Sequence, residues 1–592
     1  MSFFRLLLAA FFGTILASIV GFFLLLFIVG GLISSATAEK AVSVPEKTIL
    51  EFNLAQAFAE RSVEDPLLEL LAENSGEAVP VGVHALTRAL KAAQTDDRVI
   101  GLYLTNATPQ AAPATLQELR RAIESFKASG KFVYAYSEYY SEAGLHLTAL
   151  ADSVFVYPTG GLEWDGLAST PMYYKGALEK LGIETEVIKV GSFKSAAEPF
   201  VEKRMSAANR EQLTVLLADL WATITAPIAT DRGIEPQTLT DLANGIALHD
   251  SSATDTMVAL KLASGIRYED QVLKLLAAKQ GKGEKNEPET LSLSQYAKVK
   301  SGKKYSDSRI AIIYAEGEIT MGGGEEFVTP DRMAKALRKA REDKRVKAVV
   351  LRVNSPGGSA LASDMIWREV KLTAEAKPVI ASFGDYAASG GYYIGVAADY
   401  IVAEAATITG SIGVVGLHIN VGGMLENKLG ITTERVTTNA SSDFFSPYRS
   451  MTPTERSRAQ NATNEVYRDF VSRVVEGREA YTTFEEVDKI GQGRVWSGTR
   501  ALELKLVDEL GGLGRAIALA AERGGAGDDY QLVEYPELKG PLQELLDSGT
   551  RAQLNLGQRL LSAPERELRR LVNSLDDPRG VYVRDFTVPE LN

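Results

Sequence analysis

The stretch that decides the fold is residues 351–411, LRVNSPGGSALASDMIWREVKLTAEAKPVIASFGDYAASGGYYIGVAADYIVAEAATITGS. It is entered through a buried-type strand, Lys347 to Val353, which runs into Ser355-Pro356-Gly357-Gly358-Ser359. Two consecutive glycines let the backbone turn sharply there and leave amide N–H groups facing outward, which makes a candidate oxyanion cradle. The strand signal returns at Pro378 to Phe383, a turn follows over Gly384-Asp-Tyr-Ala-Ala-Ser-Gly-Gly391, and a helix-like run comes next. Ser389 therefore sits where a strand gives way to a helix, flanked by small residues that admit a substrate. Backbone donors and a hydroxyl on neighbouring strand ends are what acyl transfer requires, so Ser389 is the candidate nucleophile.

Three segments, RVNSPGGS (352–359), AASGGYYI (387–394) and TGSIGVVG (409–416), resemble the serine-peptidase domain of the signal peptide peptidase A (protease IV) family, a branch of the Clp-protease/crotonase superfamily. The resemblance extends over most of the chain beyond its N-terminal segment. It implies peptide hydrolysis through an acyl-enzyme, without metal or organic cofactor. The implied substrates are apolar, extended peptides such as the remnants of cleaved signal peptides, and the implied assembly is a homotetramer. By the same resemblance, amides of Gly357 or Gly358 and of Gly390 are the oxyanion donors.

The pattern occurs twice. Asp96-Asp97-Arg98-Val99 with Leu102-Tyr-Leu104 parallels Asp343-Lys-Arg345-Val346 with Val349-Val-Leu351. Lys131 to Tyr136 parallels Lys377 to Ser382, Ala151-Asp152 parallels Ala398-Asp399, and Leu181-Gly-Ile183 parallels Leu429-Gly-Ile431. Strands alternating with helices over short loops predict an α/β fold with parallel strands, here as two tandem copies. The first copy has lost the site: Pro109-Gln110-Ala111 stands where the second has Pro356-Gly357-Gly358, and Glu142-Ala143-Gly144 stands where it has Ser389-Gly390-Gly391.

A serine hydroxyl needs a base to take its proton. Only four histidines exist, His84, His146, His249 and His418, and none lies in a recognisable triad context. Lysine is the remaining candidate, provided burial favours its neutral amine. Lys194 is followed by small residues in Lys194-Ser-Ala-Ala-Glu-Pro-Phe200, and the second copy carries Ser442 at the corresponding position. The family's general base is the lysine of a Lys-Ser-Ala-x-Glu-Pro-Phe motif, so the resemblance implies that Lys194, from the first copy, deprotonates Ser389, from the second. It also implies that Ser411 orients the amine; the alternative for Ser411 is a helix or turn cap. Asp385 reads more readily as a turn residue than as a catalytic member.

The chain of 592 residues is too long for one core. A net charge of −12 provides no basic footprint and argues against a nucleic-acid partner, and the absence of cysteine excludes disulfides and thiolate metal sites. From Leu6 to Ile33 there is no charged residue, enough for a helix to span a bilayer, with Arg5 before it favouring a cytoplasmic N-terminus. Ala36-Thr37-Ala38 offers the alternative of a cleaved signal peptide, although the apolar stretch is longer than such segments usually are. The resulting expectation is a single-pass anchor over 1–38 in a bacterial inner membrane, with the catalytic domains on the periplasmic side. The first domain is expected over 45–279, a polar linker over 280–308, the second domain over 309–540 and a C-terminal extension over 541–592. Two other functions fit the same pattern less well: a crotonase-type acyl-CoA enzyme, and an inactive membrane scaffold.

Overall fold

The computed structural model describes residues 42–62, 79–245, 252–283, 287–299, 306–538 and 582–584, together with parts of 11–21. Two parallel sheets repeat one plan. In the first, the strand order is Gly265–Ile266, Ser153–Leu162, Phe132–Tyr140, Val99–Thr105, Thr48–Asn53, Thr290–Ser292. In the second, Val495–Ser497, Ile408–Gly410, Val379–Ala388, Val346–Ser355, Arg309–Glu316 and Gln531–Tyr535 lie side by side, parallel except for Val495–Ser497. The middle strands are apolar along nearly their whole length, as strands covered on both faces must be: Val349, Val350, Leu351 and Val353 are all buried.

Helices recur at matching positions, Pro113–Ala128 against Ala360–Ala374 and Glu142–Thr148 against Gly390–Gly395. The long helix Ala207–Arg232 is, among the described residues, the one long and apolar enough to cross a membrane. Leu213, Leu216, Leu220, Ile224 and Ile228 on it are buried against the rest of the protein. The expected anchor over 6–33 lies outside the described residues except for helical positions within 11–21, where Phe11, Ile15, Leu16 and Val20 are exposed.

The stretch 280–308, polar enough to read as a linker, holds ordered structure. Thr290–Ser292 pairs in parallel with Ile49–Glu51, and the helix Leu293–Ala297 follows. Leu293 and Tyr296 are buried there, two apolar anchors that outweigh the polar composition around them.

The two halves are stitched together by a third, antiparallel sheet. Glu184–Val190 of the first half pairs with Val414–Asn420 of the second over seven residues, from Val190 opposite Val414 to Glu184 opposite Asn420. Charged contacts cross the same boundary. Arg352 is buried between Glu60 and Glu118 of the first half, bonding both, and Arg121 reaches Glu404 at 2.7 Å. Asp385 accepts from the Thr115 N–H and hydroxyl, both at 2.8 Å. Asp385 thus satisfies an orphan amide at the start of a helix in the other half, which is why Pro113–Ala128 needs no cap of its own.

Candidate active site

Ser389 stands between the strand Val379–Ala388 and the helix Gly390–Gly395 with φ +56° and ψ −115°, a region that costs a non-glycine residue on the order of 1–3 kcal/mol. The strain is held by the neighbouring strand, because the Ser389 N–H donates to Gly410 O at 2.9 Å. The next amide, Gly390 N–H, opens the helix and has no acceptor within it. A side chain at Gly390 would stand 3.1 Å from Gly357 Cα and 3.2 Å from Gly358 N, so the glycine-rich turn packs directly on the serine's helix.

That turn needs its glycines. Gly357 and Gly358 have φ +98° and +155°, and a Cβ on Gly358 would come within 1.9 Å of Ile319 O. The Gly357 N–H donates to Ser355 Oγ at 3.1 Å. Gly357 O and Ser359 N–H are bonded to Ile319, so strand alternation turns the N–H and C=O of Gly358 to the opposite side.

Lys194 arrives from the other half. The strand Glu184–Val190 delivers the chain to the turn Gly191-Ser192-Phe193, and Lys194 follows with only 1% of its surface exposed. Its Nζ lies 2.8 Å from Ser389 Oγ, 2.8 Å from Ser411 Oγ and 3.1 Å from Ser411 O. Ser411 has φ +51° and donates its N–H to Arg494 O at 2.8 Å, which fixes the hydroxyl toward the amine. The three side chains picked out by sequence thus converge on one another, with Gly357, Gly358 and Gly390 beside them.

Sequence reasoning missed the parts that hold the lysine in place. Phe193 N–H donates to Gln492 O at 2.9 Å. Gly493, at φ +76°, packs so tightly that a Cβ would lie 2.5 Å from Lys194 Cβ and 2.7 Å from its Cα, while Gly413 makes room for the stem at Cδ. Gln212 donates to Phe193 O at 3.1 Å and to Ser195 Oγ at 2.8 Å, and it accepts from Val495 N–H at 3.3 Å. Asn209, bonded to Ser195 and Glu198, completes this buried polar cluster. The Arg494 guanidinium stacks on Phe193 and Trp496, 4.6 Å from each ring. The motif match from Lys194 to Phe200 is the local signal for the lysine; the Gln492-Gly493 clamp has none.

The histidines lie elsewhere. Burial lowers His84 and His146 to about 3, so both are neutral core groups. His418 Nε2 lies 2.9 Å from Ser446 O, and His249 falls outside the described residues. Ser442, the counterpart of Lys194, bonds to Asn439 O in a surface turn. Among the described residues no cluster of His, Cys, Asp or Glu could hold a metal ion.

A catalytic-serine geometry on a doubled α/β fold defines a class, and comparison with known proteins gives it a family. The model of peptidase family S49 matches residues 125–282 and again 371–526. Protease 4 of Haemophilus influenzae is 32% identical over 580 residues, covering 93% of this chain and 92% of that protein. Protease 4 of Salmonella typhi is 36% identical over 447 residues, 74% and 71% of the two chains. The chloroplastic serine protease SPPA of Arabidopsis thaliana is 31% identical over 522 residues, 86% and 74% of the two. The chain belongs to peptidase family S49, with two tandem family domains, and is a serine peptidase. That membership leaves the acyl-CoA reading without support.

Proposed function

We propose that the protein is a membrane-bound endopeptidase working through a Ser389/Lys194 dyad. The observation that carries the reading is the 2.8 Å approach of Lys194 Nζ to Ser389 Oγ, made between residues from opposite halves of the chain. Burial disfavours the ammonium form of a lysine, so a desolvated amine is available as a base. Lys194 takes the Ser389 proton as Oγ bonds to the scissile carbonyl carbon. The amides of Gly390 and of Gly358 receive the oxyanion, each worth about 3 kcal/mol in the transition state, the Gly357 N–H being engaged by Ser355 Oγ. As the C–N bond breaks, the Lys194 ammonium returns its proton to the departing amine. Water then attacks the ester, Lys194 accepts the water's proton, and Ser389 recovers it as the acid product leaves. Ser411 positions the amine throughout.

Apolar extended peptides, including signal-peptide remnants, are the proposed substrates. The reading is supported by the relatives named protease 4 and by the uncharged sequence from Leu6 to Ile33, long enough to span a bilayer, with Arg5 before it favouring domains on the periplasmic side. A homo-oligomer, a tetramer by resemblance to the family, is the proposed assembly. Its support is a pair of unused edges. The second-half counterpart of Glu184–Val190 is residues 431–437, which form no strand, with Val436 93% exposed. The first-half counterpart of Val414–Asn420 is residues 167–173, equally strandless, with Met172 exposed. A second copy can supply to each the partner that the intramolecular sheet supplies at Glu184–Asn420.

The test is hydrolysis of an apolar fluorogenic peptide by the wild type, Ser389→Ala and Lys194→Ala. Both variants lose turnover while remaining folded. Full activity in Lys194→Ala with loss in Ser389→Ala would remove the lysine from the mechanism and leave the serine.

A further inference from the structure

Gln212 lies in the second turn of the helix Ala207–Arg232 with 1% of its surface exposed, on the face that meets the second half. That face is anchored without it. Leu216 and Leu220 pack with Ile408 and Val495 in one apolar cluster, Asp219 accepts from Ser497 Oγ at 2.7 Å, and Glu211 pairs with Arg494 at 2.9 Å. A buried primary amide is costly where an apolar side chain would pack as well, unless its hydrogen bonds do something that packing cannot.

Here the hydrogen bonds join three segments. Gln212 Nε2 donates to Phe193 O at 3.1 Å and to Ser195 Oγ at 2.8 Å, and these groups belong to the residues on either side of Lys194. It also lies 3.0 Å from Asn209 Oδ1, which accepts from Ser195 Oγ. Gln212 Oε1 accepts from the Val495 N–H at 3.3 Å. Val495 stands opposite Gly410, whose carbonyl holds the Ser389 N–H at 2.9 Å. Arg494, the residue before it, holds the Ser411 N–H at 2.8 Å through its own carbonyl. One end of a planar amide therefore grips both neighbours of the lysine, and the other end grips the strand to which both serines are fixed. Because the two ends of an amide are a constant distance apart, the side chain sets the gap between those segments. Gly493 limits by contact how near Lys194 can come. Gln212 limits how far it can retreat.

We propose that Gln212 is a positioning residue for the Ser389/Lys194 dyad, holding the Lys194 amine within reach of Ser389 and Ser411 and acting through that amine alone. The proposal rests on the reading of Lys194 as the base. It separates Gln212 from the other contacts of the same helix, which dock the two halves without touching the lysine segment.

The experiment is a double-mutant cycle on an apolar fluorogenic peptide, with the wild type, Gln212→Met, Lys194→Ala and the double variant. Methionine keeps the length of glutamine and removes its strong hydrogen bonds. Gln212→Met lowers kcat about 10–100-fold with KM changed less than about twofold, the loss expected when a reacting group moves off line. In the Lys194→Ala background the same substitution costs less than about twofold, because a residue that works only through the amine has nothing left to position. Gln212→Glu keeps an oxygen for the Val495 N–H but loses the donor to Phe193 O, and as a second variant of the same shape it repeats the fall in kcat. Asp219→Ala removes a different contact between this helix and the second half; it lowers Tm and leaves kcat unchanged. Wild-type kcat in either Gln212 variant, equal losses with and without Lys194, or an equal fall in kcat for Asp219→Ala would overturn the proposal. Failure of the dyad reading shows separately, as wild-type turnover by Lys194→Ala with Gln212 intact.

Discussion

Two junctions in this molecule make the same step from strand to helix and make it differently. At the end of Phe132–Tyr140 the chain enters Glu142–Thr148 through Ser141, at a relaxed φ of −92°, with the Ser141 side chain accepting from Gly144 N–H. At the end of Val379–Ala388 it enters Gly390–Gly395 through Ser389, at φ +56° and with no such cap. The scaffold around the two is alike: Gly144 packs on Ala107 O, and Gly391 packs on Ser355 O. In the first half Glu142 occupies the place of Ser389 and accepts from the N–H groups of Asp165 and Gly166, tying down the loop whose counterpart admits Lys194. One copy has become a latch and a lysine donor; the other keeps the strained serine. On the proposed Ser389/Lys194 reading, a duplicated fold divides a site that neither copy completes.

Breaking that division at the serine has the largest expected effect. Ser389→Ala lowers kcat by about 10⁶-fold, the size associated with losing a nucleophile that acts as a unit with its base, while the Tm stays within a few degrees. Lys194→Ala follows, at about 10²–10⁴-fold, the usual reach of a positioned general base. The clamp comes next. Gly493→Ala puts a methyl where the Lys194 backbone stands and forces an alanine to φ +76°, so kcat falls about 10–100-fold as the amine moves off line, with KM nearly constant. Gly191→Ala, at φ +117° against Gln492, tests the same clamp from the first-half side.

The smallest effect concerns the boundary itself. Burial pushes Glu118 up to about 7 and raises Asp385, while the carboxylates around Arg352 hold its guanidinium above its ordinary range. Burial, helped by the neighbouring carboxylates of Glu404 and Glu60 and only partly opposed by Arg352, leaves Glu118 protonated in the native state at pH values where it is ionised in the unfolded chain. The native state therefore binds more protons between the unfolded value of 4.5 and about 7. Stability from this group is greatest below that window and falls as pH rises through it, by up to about 3 kcal/mol. Thermal melts from pH 5 to pH 8 read the fall, and Glu118→Gln flattens it.

Much of this was legible along the chain because the signals are local. Two glycines after an apolar strand, and a serine among small residues at a strand end, mark a turn and a candidate nucleophile position by residue type alone. The repeat exposed which copy had lost what, and the run Lys194 to Phe200 marked the lysine by its likeness to a family motif. What could not be read are contacts between segments hundreds of residues apart. Nothing in Gly491-Gln492-Gly493 announces that Lys194 will lie on it, and Gln212 looks like any polar residue on a helix. Asp385 read as a turn residue because its role, capping a helix in the other half, leaves no trace beside it. The stretch 280–308 looked like a linker because two buried side chains among many polar ones carry little weight in composition. The pairing of Glu184–Val190 with Val414–Asn420, which brings the two halves of the site together, has no periodicity of its own to betray it.

The central claim is that an amine from the first half activates a hydroxyl in the second, and the cysteine-free sequence permits a direct test. Lys194→Cys is assayed for hydrolysis of an apolar fluorogenic peptide before and after alkylation with 2-bromoethylamine, which rebuilds an amine on a side chain of nearly the same length. Turnover is expected to fall to background in Lys194→Cys and to return on alkylation, with a pH profile shifted toward the new amine's titration. Wild-type turnover in Lys194→Cys before alkylation would contradict it.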